Sequence, residues 1–231
     1  MICFVDYRTT ENEINSLKKL NYDVIKIPKD NNLYEAINGH TDIQLNILNK
    51  HTLIVNKNIN LSFKQLLETK NINFIESDSV LSSKYPSNIS LNAYITDNYL
   101  VHNLKFTDKK ILDYCKNKKN INVNQGYTKC SILPLREKAI ITNDAGIYNI
   151  LKSEDFDILL LPFGDIELSG FNYGFIGGVG GMISSDSMAF FGSLDNYTFG
   201  NEVKKILYKY DIKPIYLSNT KLIDRGSLLV F

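Results

Sequence analysis

The apolar residues of this chain lie in short runs that are separated by polar turns and by segments with helical spacing. Ile72–Ile75 has the length of a buried strand, whereas Leu61–Glu68 carries apolar residues three and four positions apart, at Phe63, Leu66 and Leu67. Such spacing places these side chains on one face of a helix. The pattern predicts an α/β fold built from short elements.

One order of elements recurs along the chain. Residues 38–56, 85–103 and 125–143 align without a gap, and each predicts two strands joined by a polar turn. Identical pairs of the first and third stretches include Gly39 and Gly126, Thr41 and Thr128, Leu48 and Leu135, and Asn56 and Asn143. The helices predicted next are Leu61–Glu68, Thr107–Lys116 and Asp144–Lys152, and the strands after them are Ile72–Ile75, Asn120–Val123 and Phe156–Leu161. Repetition on this scale indicates a β-β-α-β unit that is used several times.

A fourth copy and a divided fifth copy complete the pattern. The fourth comprises strands over Phe175–Ile183 and Met188–Phe191, a helix over Thr198–Tyr208 and a strand over Ile212–Leu217. The fifth takes its first strand from Gly226–Phe231 and the rest from Ile2–Val5, Thr10–Leu20 and Asp23–Ile27. Because the two parts stand at opposite ends of the sequence, pairing of the last strand with the first would close a ring and leave few exposed edges. The alternative is an open α/β sheet with accidental similarities.

The amino-acid composition excludes several classes of function but does not identify a particular function. The 231 residues are 44% hydrophobic with a net charge of +1, which argues against a strongly basic nucleic-acid surface. Three cysteines at irregular spacing do not form a disulfide framework or a zinc motif. The sequence contains no apolar run of about 20 residues and no signal peptide at its start. We therefore expect a reduced, cytoplasmic protein with no membrane segment, no metal and no cofactor.

Five β-β-α-β units in a ring resemble the pentein fold, the α/β propeller of the guanidino-group-modifying enzymes. The resemblance covers nearly the whole chain, rests on architecture, and extends to a clostridial-type group of bacterial proteins within that superfamily. It implies one propeller domain over residues 1–231. It also implies covalent catalysis, in which a cysteine thiolate attacks a guanidinium carbon, a histidine moves protons and carboxylates hold the guanidinium nitrogens.

The sequence departs from the enzymes of that superfamily at their usual nucleophile. Those enzymes commonly carry His-Cys after a Gly-Gly run near the C-terminus, whereas here Gly177-Gly178-Val179-Gly180-Gly181 is followed by Met182. Two functions follow as hypotheses. One is a cysteine-dependent hydrolase, or an amidinotransferase, acting on a small cationic guanidino or amidine compound. The other is a non-catalytic protein of the same fold that binds a ligand, another protein or the ribosome, as the ribosome anti-association factors of the superfamily do.

The clearest alternation of polar and apolar residues lies at residues 40–46. Read as a strand, it alternates, with His40, Asp42, Gln44 and Asn46 on one face. This face would line the centre of the ring, where His40 could act as acid and base beside Asp42. A solvated edge strand would show the same alternation.

Cys130 is the best candidate for a nucleophile. Cys3 and Cys115 lie in apolar elements and are expected to be buried, whereas Cys130 stands in a polar segment beside Lys129, whose charge could lower the pKa of the thiol. The gapless alignment raises an objection. It pairs Cys130 with Ile43, so a regular strand would point its side chain away from His40 and Asp42.

The remaining candidates carry weaker signals. Asp165 and Glu167 could hold a cation or form an ordinary solvated acid pair, and Asn92 could add a hydrogen bond in the channel. Gly177 and Gly178 allow close approach to a ligand or to another strand. The Asp224-Arg225 pair reads equally as a structural ion pair or a substrate contact, and His51 and His102 read as surface residues.

Overall fold

The computed structural model describes residues 1–231 as a mixed α/β fold of short elements. The strands are β1 (Ile2–Asp6), β2 (Asp23–Ile27), β3 (Leu45–Asn49), β4 (Thr52–Val55), β5 (Phe74–Glu76), β6 (Tyr94–Ile95), β7 (Tyr99–His102), β8 (Lys119–Asn122), β9 (Ile132–Arg136), β10 (Ala139–Thr142), β11 (Asp157–Leu160), β12 (Gly180–Met182), β13 (Ser187–Phe190), β14 (Lys213–Tyr216) and β15 (Leu229–Val230). The helices are α1 (Glu11–Lys19), α2 (Thr41–Gln44), α3 (Leu61–Thr69), α4 (Lys109–Tyr114), α5 (Thr128–Ser131), α6 (Ala145–Lys152) and α7 (Gly200–Lys209). None of these helices combines the length and apolar character that crossing a bilayer requires.

The strands form five separate three-stranded sheets. Their orders are β15-β1-β2, β3-β4-β5, β6-β7-β8, β9-β10-β11 and β12-β13-β14. In each sheet the central strand pairs antiparallel with the strand before it in the repeat and parallel with the strand that follows the helix. This arrangement confirms the β-β-α-β unit, because a parallel pair needs a crossover that a helix supplies.

The divided unit is assembled from both ends of the chain. In β1 and β15, Cys3 pairs with Val230 and Phe4 with Leu229, and the Ile2 amide donates to the Phe231 carbonyl at 2.9 Å. The pairing of the last strand with the first is therefore as the sequence predicts.

The first and third repeats correspond residue for residue, although their first element differs from the prediction. Both begin with a one-turn helix, α2 or α5, before the strand that was expected to start there. In the fourth repeat the 3₁₀ turn Ile176–Val179 occupies the same place. These turns change which side chains face the centre of the molecule.

The segments that precede the first strands of the five units contact one another in order. The hydrogen bonds are Asn92 Nδ2 to Asp42 O (2.9 Å), Lys129 N to Asn92 O (3.0 Å), Ser227 N to Gly178 O (3.2 Å) and Asp42 N to Gly226 O (3.0 Å). Between the third and fourth units, Gly177 packs so closely on the carbonyls of Lys129 and Cys130 that a Cβ would overlap them. The regular strand expected over residues 40–46, with four polar side chains on one face, is wrong, because Thr41–Gln44 forms α2 and Gln44 donates to the carbonyls of Pro28 and Asn38.

His102 is the clearest error of the sequence interpretation in the fold, because the structure buries it completely. Its Nε2 lies 3.0 Å from the Gly126 carbonyl and its Nδ1 lies 2.7 Å from the Thr107 hydroxyl. Since a carbonyl can only accept, the neutral ring carries its proton on Nε2. Burial lowers the pKa of His102 from 6.5 to about 4.

The buried imidazole predicts an acid-dependent loss of stability. Because its pKa is lower in the folded protein, His102 binds a proton more readily in the unfolded chain. The folded state is therefore fully stable above pH 6.5 with respect to this group, and it loses stability as the pH falls toward 4. The shift corresponds to roughly 3 kcal/mol. Urea unfolding of the wild type across this window should show the decrease. His102→Gln should remove it, whereas His51→Gln, at an exposed turn, should leave it unchanged.

Candidate functional site

A cavity of about 300 Å³ opens beside the segments that begin the first, third, fourth and fifth repeats. His40, Cys130 and Asp224 line it together. Its walls are largely aromatic and include Tyr34, Tyr127, Phe171, Tyr173 and Phe175. The ring centroids of Tyr34 and Phe171 lie 5.8 Å apart, and those of Tyr127 and Phe175 lie 6.2 Å apart.

The one-turn helices bring together the residues that a regular strand would have separated. His40 is the cap of α2, Asp42 lies within it, and Cys130 lies within α5. Because period-two alternation does not hold in a helical turn, the objection to Cys130 does not apply. Its thiol donates to Oδ1 of Asp42 at 3.2 Å, and a His40 nitrogen, the sulfur and an Asp42 oxygen all lie within 4.8 Å of one another.

Asp42 is fully buried at the centre of a polar network. The Ser227 hydroxyl donates to its Oδ2 at 2.7 Å, and Lys129 Nζ donates to the Ser227 hydroxyl oxygen at 3.0 Å. Asn92 Nδ2 lies 3.2 Å from the Cys130 sulfur, and the Cys130 amide donates to Asn92 Oδ1 at 3.2 Å. Asn92 and Lys129 therefore brace the thiol and its carboxylate partner.

His40 differs from every other polar side chain around the cavity. It is 1% exposed, yet neither ring nitrogen has a hydrogen-bond partner. The nearest opposite charge is Asp224, whose Oδ1 lies 3.9 Å from His40 Nε2. An imidazole held by packing alone keeps both nitrogens available for a proton or a ligand.

Asp224 is a cavity-lining carboxylate that the sequence interpretation did not distinguish from a structural ion pair. Its oxygens accept from the amides of Phe175 (2.8 Å) and Gly226 (3.0 Å), and Gly178 leaves the room it occupies, since a Cβ there would overlap the carboxylate. Burial raises the pKa of Asp224 above its usual range. In the sequence, Asp224 is marked only by its position two residues before Gly226, the first residue of the last repeat.

The surroundings of Cys130 disfavour the thiolate form of its side chain. Burial, the first cause, and the Asp42 carboxylate raise its pKa well above the ordinary value. The expectation that Lys129 lowers this pKa is corrected, because burial lowers the pKa of Lys129 itself and its ammonium donates to Ser227. Cys130 also packs on aliphatic side chains on one side. Cys3 and Cys115 are buried as expected and line no part of the cavity.

Three predicted binding residues lie away from the cavity. Asp165 accepts from the amide and hydroxyl of Thr198 and pairs with Lys221, and these contacts lower its pKa. Glu167 is exposed, although its backbone carbonyl accepts from the Asp224 amide at 2.8 Å. Gln44 Nε2 donates to the carbonyls of Pro28 and Asn38, which ties the loop before α2 in place.

Similarity to solved structures extends over almost the whole chain. The inosamine-phosphate amidinotransferase from Streptomyces griseus has a TM-score of 0.59 at 13% identity, with 95% of this chain and 79% of that one covered. The amidinotransferase of the saxitoxin pathway from Microseira wollei has a TM-score of 0.57 at 9% identity, with coverages of 92% and 73%. A mutant dimethylarginine dimethylaminohydrolase from Pseudomonas aeruginosa, complexed with citrulline, has a TM-score of 0.54 at 6% identity, with coverages of 94% and 92%.

The similarity to these solved structures identifies the fold of the chain. The chain has the pentein fold of the guanidino-group-modifying enzymes, which confirms the resemblance stated from the sequence. It belongs to the family described as "Family of unknown function (DUF6873)", whose profile matches residues 4–229. No curated protein matches the chain.

Proposed function

We propose that this protein hydrolyses a carbon–nitrogen bond of a small guanidino or amidine compound. Cys130 is the nucleophile, His40 is the acid and base, and Asp224 and Asp42 supply negative charge. One observation carries the proposal: a thiol, an imidazole without hydrogen bonds and a carboxylate converge in one aromatic-walled cavity. The fold of the neighbouring amidinotransferases and hydrolase supports the class of reaction.

We further propose that the five sheets form one closed five-bladed propeller over residues 1–231. The ordered contacts between the segments that precede the first strands support this arrangement. The unpaired state of all three cysteines supports a reducing compartment such as the cytoplasm. The partner is a small cation.

Charge and shape make the cavity suited to a planar cation. Asp224 offers carboxylate oxygens, which hold amidinium nitrogens well. The faces of Tyr127 and Phe175 offer cation–π contact. A bound cation next to Cys130 would also lower the pKa of the thiol, which its surroundings now raise.

The reaction balances with these groups. His40 takes the proton of the thiol, and the Cys130 sulfur attacks the amidinium carbon. His40 then returns that proton to the leaving nitrogen, the C–N bond breaks, and ammonia or an amine departs from a cationic thioimidate. Water loses a proton to His40 and adds to the same carbon. The C–S bond then breaks as the proton of the added hydroxyl passes to the departing sulfur, which gives the urea or amide and the regenerated thiol. His40 releases its proton to the ammonia or amine product, which leaves as its ammonium ion.

A second candidate function is non-catalytic binding. It is favoured by the hydrogen bond from the Cys130 thiol to Asp42, which would hold the sulfur in its neutral form. A binding protein of this kind would bind amidines in the cavity and release them unchanged. Product formation distinguishes the two functions.

The lining of the cavity predicts which guanidines are accepted. None of its eleven lining residues is a lysine or an arginine, so a substrate carboxylate would find no cationic partner. We expect ammonia release from butylguanidine or acetamidine, and at least about tenfold lower kcat/KM for arginine, which corresponds to about 1.4 kcal/mol. A coupled ammonia assay measures this. Preference for arginine would contradict the selectivity, and release from none of the compounds would contradict the hydrolase.

A further inference from the structure

We propose that His40, Asp42 and Cys130 form a Zn²⁺ site, beside which Asp224 places a further buried carboxylate. The inference goes beyond the proposed hydrolase, because it requires metal binding and no turnover. The three candidate atoms lie within 4.8 Å of one another, and all three residues are buried. In a tetrahedral zinc site with one sulfur, neighbouring ligand atoms are about 3.5 Å apart. Small side-chain movements would bring these atoms to that separation.

The unpartnered imidazole is an independent sign of a ligand. Both nitrogens of His40 lack hydrogen bonds at 1% exposure, whereas both nitrogens of His102, the other buried histidine, are bonded. A buried polar group without a partner destabilises the folded state. Coordination of one nitrogen to a metal would offset that cost, and His40 Nε2 is also 3.9 Å from the Asp224 carboxylate.

The donor set favours zinc over harder cations. A thiolate and an imidazole suit Zn²⁺, whereas Mg²⁺ and Ca²⁺ prefer oxygen ligands alone. The Cys130 thiolate and the Asp42 carboxylate together carry two negative charges, which Zn²⁺ neutralises. The cavity reaches the sulfur, the imidazole and Asp224, and so provides an entry path. On binding, the thiol proton leaves for solvent as the S–Zn bond forms.

Zinc and a covalent substrate would compete for the same sulfur. A zinc-bound Cys130 cannot attack an amidinium carbon, so micromolar zinc should inhibit any hydrolysis by the protein and a chelator should restore it. Zinc availability would then control the site.

The test is a zinc titration of chelator-treated full-length protein against a chromophoric competitor. It is accompanied by Co²⁺ substitution, in which thiolate coordination gives an intense near-ultraviolet band. The wild type should bind one equivalent. Cys130→Ser and His40→Gln should each bind at least about 100-fold more weakly, as expected for loss of a ligand. The matched controls Cys115→Ser and His51→Gln should bind as the wild type does, with thermal melts to show that each variant is folded.

Two results would overturn the zinc site. One is the absence of stoichiometric binding by the wild type, and the other is undiminished binding by folded Cys130→Ser or His40→Gln. Neither depends on turnover, since the titration contains no substrate. Ammonia release is measured separately on metal-free protein, so failure of the hydrolase and failure of the zinc site are distinguishable.

Discussion

Cys130→Ser should abolish hydrolysis of amidines, with a decrease in kcat on the order of 10³-fold or more. The serine hydroxyl keeps the volume and can donate to Asp42 as the thiol does at 3.2 Å, so the fold should be retained. A hydroxyl has a far higher pKa than a thiol and is a much weaker nucleophile without a strong base. The measurement is ammonia release on a substrate that the wild type accepts.

The other two cysteines give matched controls for this substitution. Cys3 and Cys115 are as buried as Cys130, but neither lines the cavity. Cys3→Ser and Cys115→Ser should therefore keep kcat within a small factor while each loses some stability. Activity that survives in Cys130→Ser would show that the sulfur is not the nucleophile.

His40→Gln and His102→Gln should have opposite effects. His40 makes no hydrogen bond, so its replacement should change stability little but lower kcat by about 10²–10⁴-fold, the range for loss of a general acid and base. His102 bonds to Gly126 and Thr107, and its replacement should destabilise the fold by about 1–3 kcal/mol with kcat unchanged. Urea unfolding and initial rates on the same two preparations measure both quantities.

The pH dependence of kcat distinguishes a catalytic role of His40 from a purely structural one. In the wild type, kcat should vary with pH because a general acid and base transfers protons during turnover, and this variation should be absent from the residual activity of His40→Gln. If His40→Gln instead lost stability and retained its rate, His40 would be a core residue and the proposed chemistry would be wrong.

The repeat made most of the fold predictable from the sequence. Apolar runs and polar turns located the hairpins, and the divided fifth unit predicted the pairing of β15 with β1. Periodicity could not predict the one-turn helix at Thr41–Gln44, because four residues are too few to show a helical period. The matching turn at Thr128–Ser131 decides where Cys130 points.

The candidate site was predictable only in part. His40, Asp42 and Cys130 stood out as residue types in a polar segment, and the structure brings them together. Asp224 did not stand out from Asp165, because only tertiary packing determines which carboxylate is buried beside an imidazole. Likewise, no local pattern distinguishes the bonded histidine at position 102 from a surface one.

Labelling with 2-chloroacetamidine, followed by peptide mapping, tests the central claim most directly. We expect modification of Cys130, faster than that of Cys3 and Cys115 and lost in His40→Gln. The neutral isostere 2-chloroacetamide should label Cys130 at least about tenfold more slowly, since it lacks the charge that Asp224 recognises. Equal labelling by the two reagents, or no preference for Cys130, would contradict a cysteine activated in a cation-binding site.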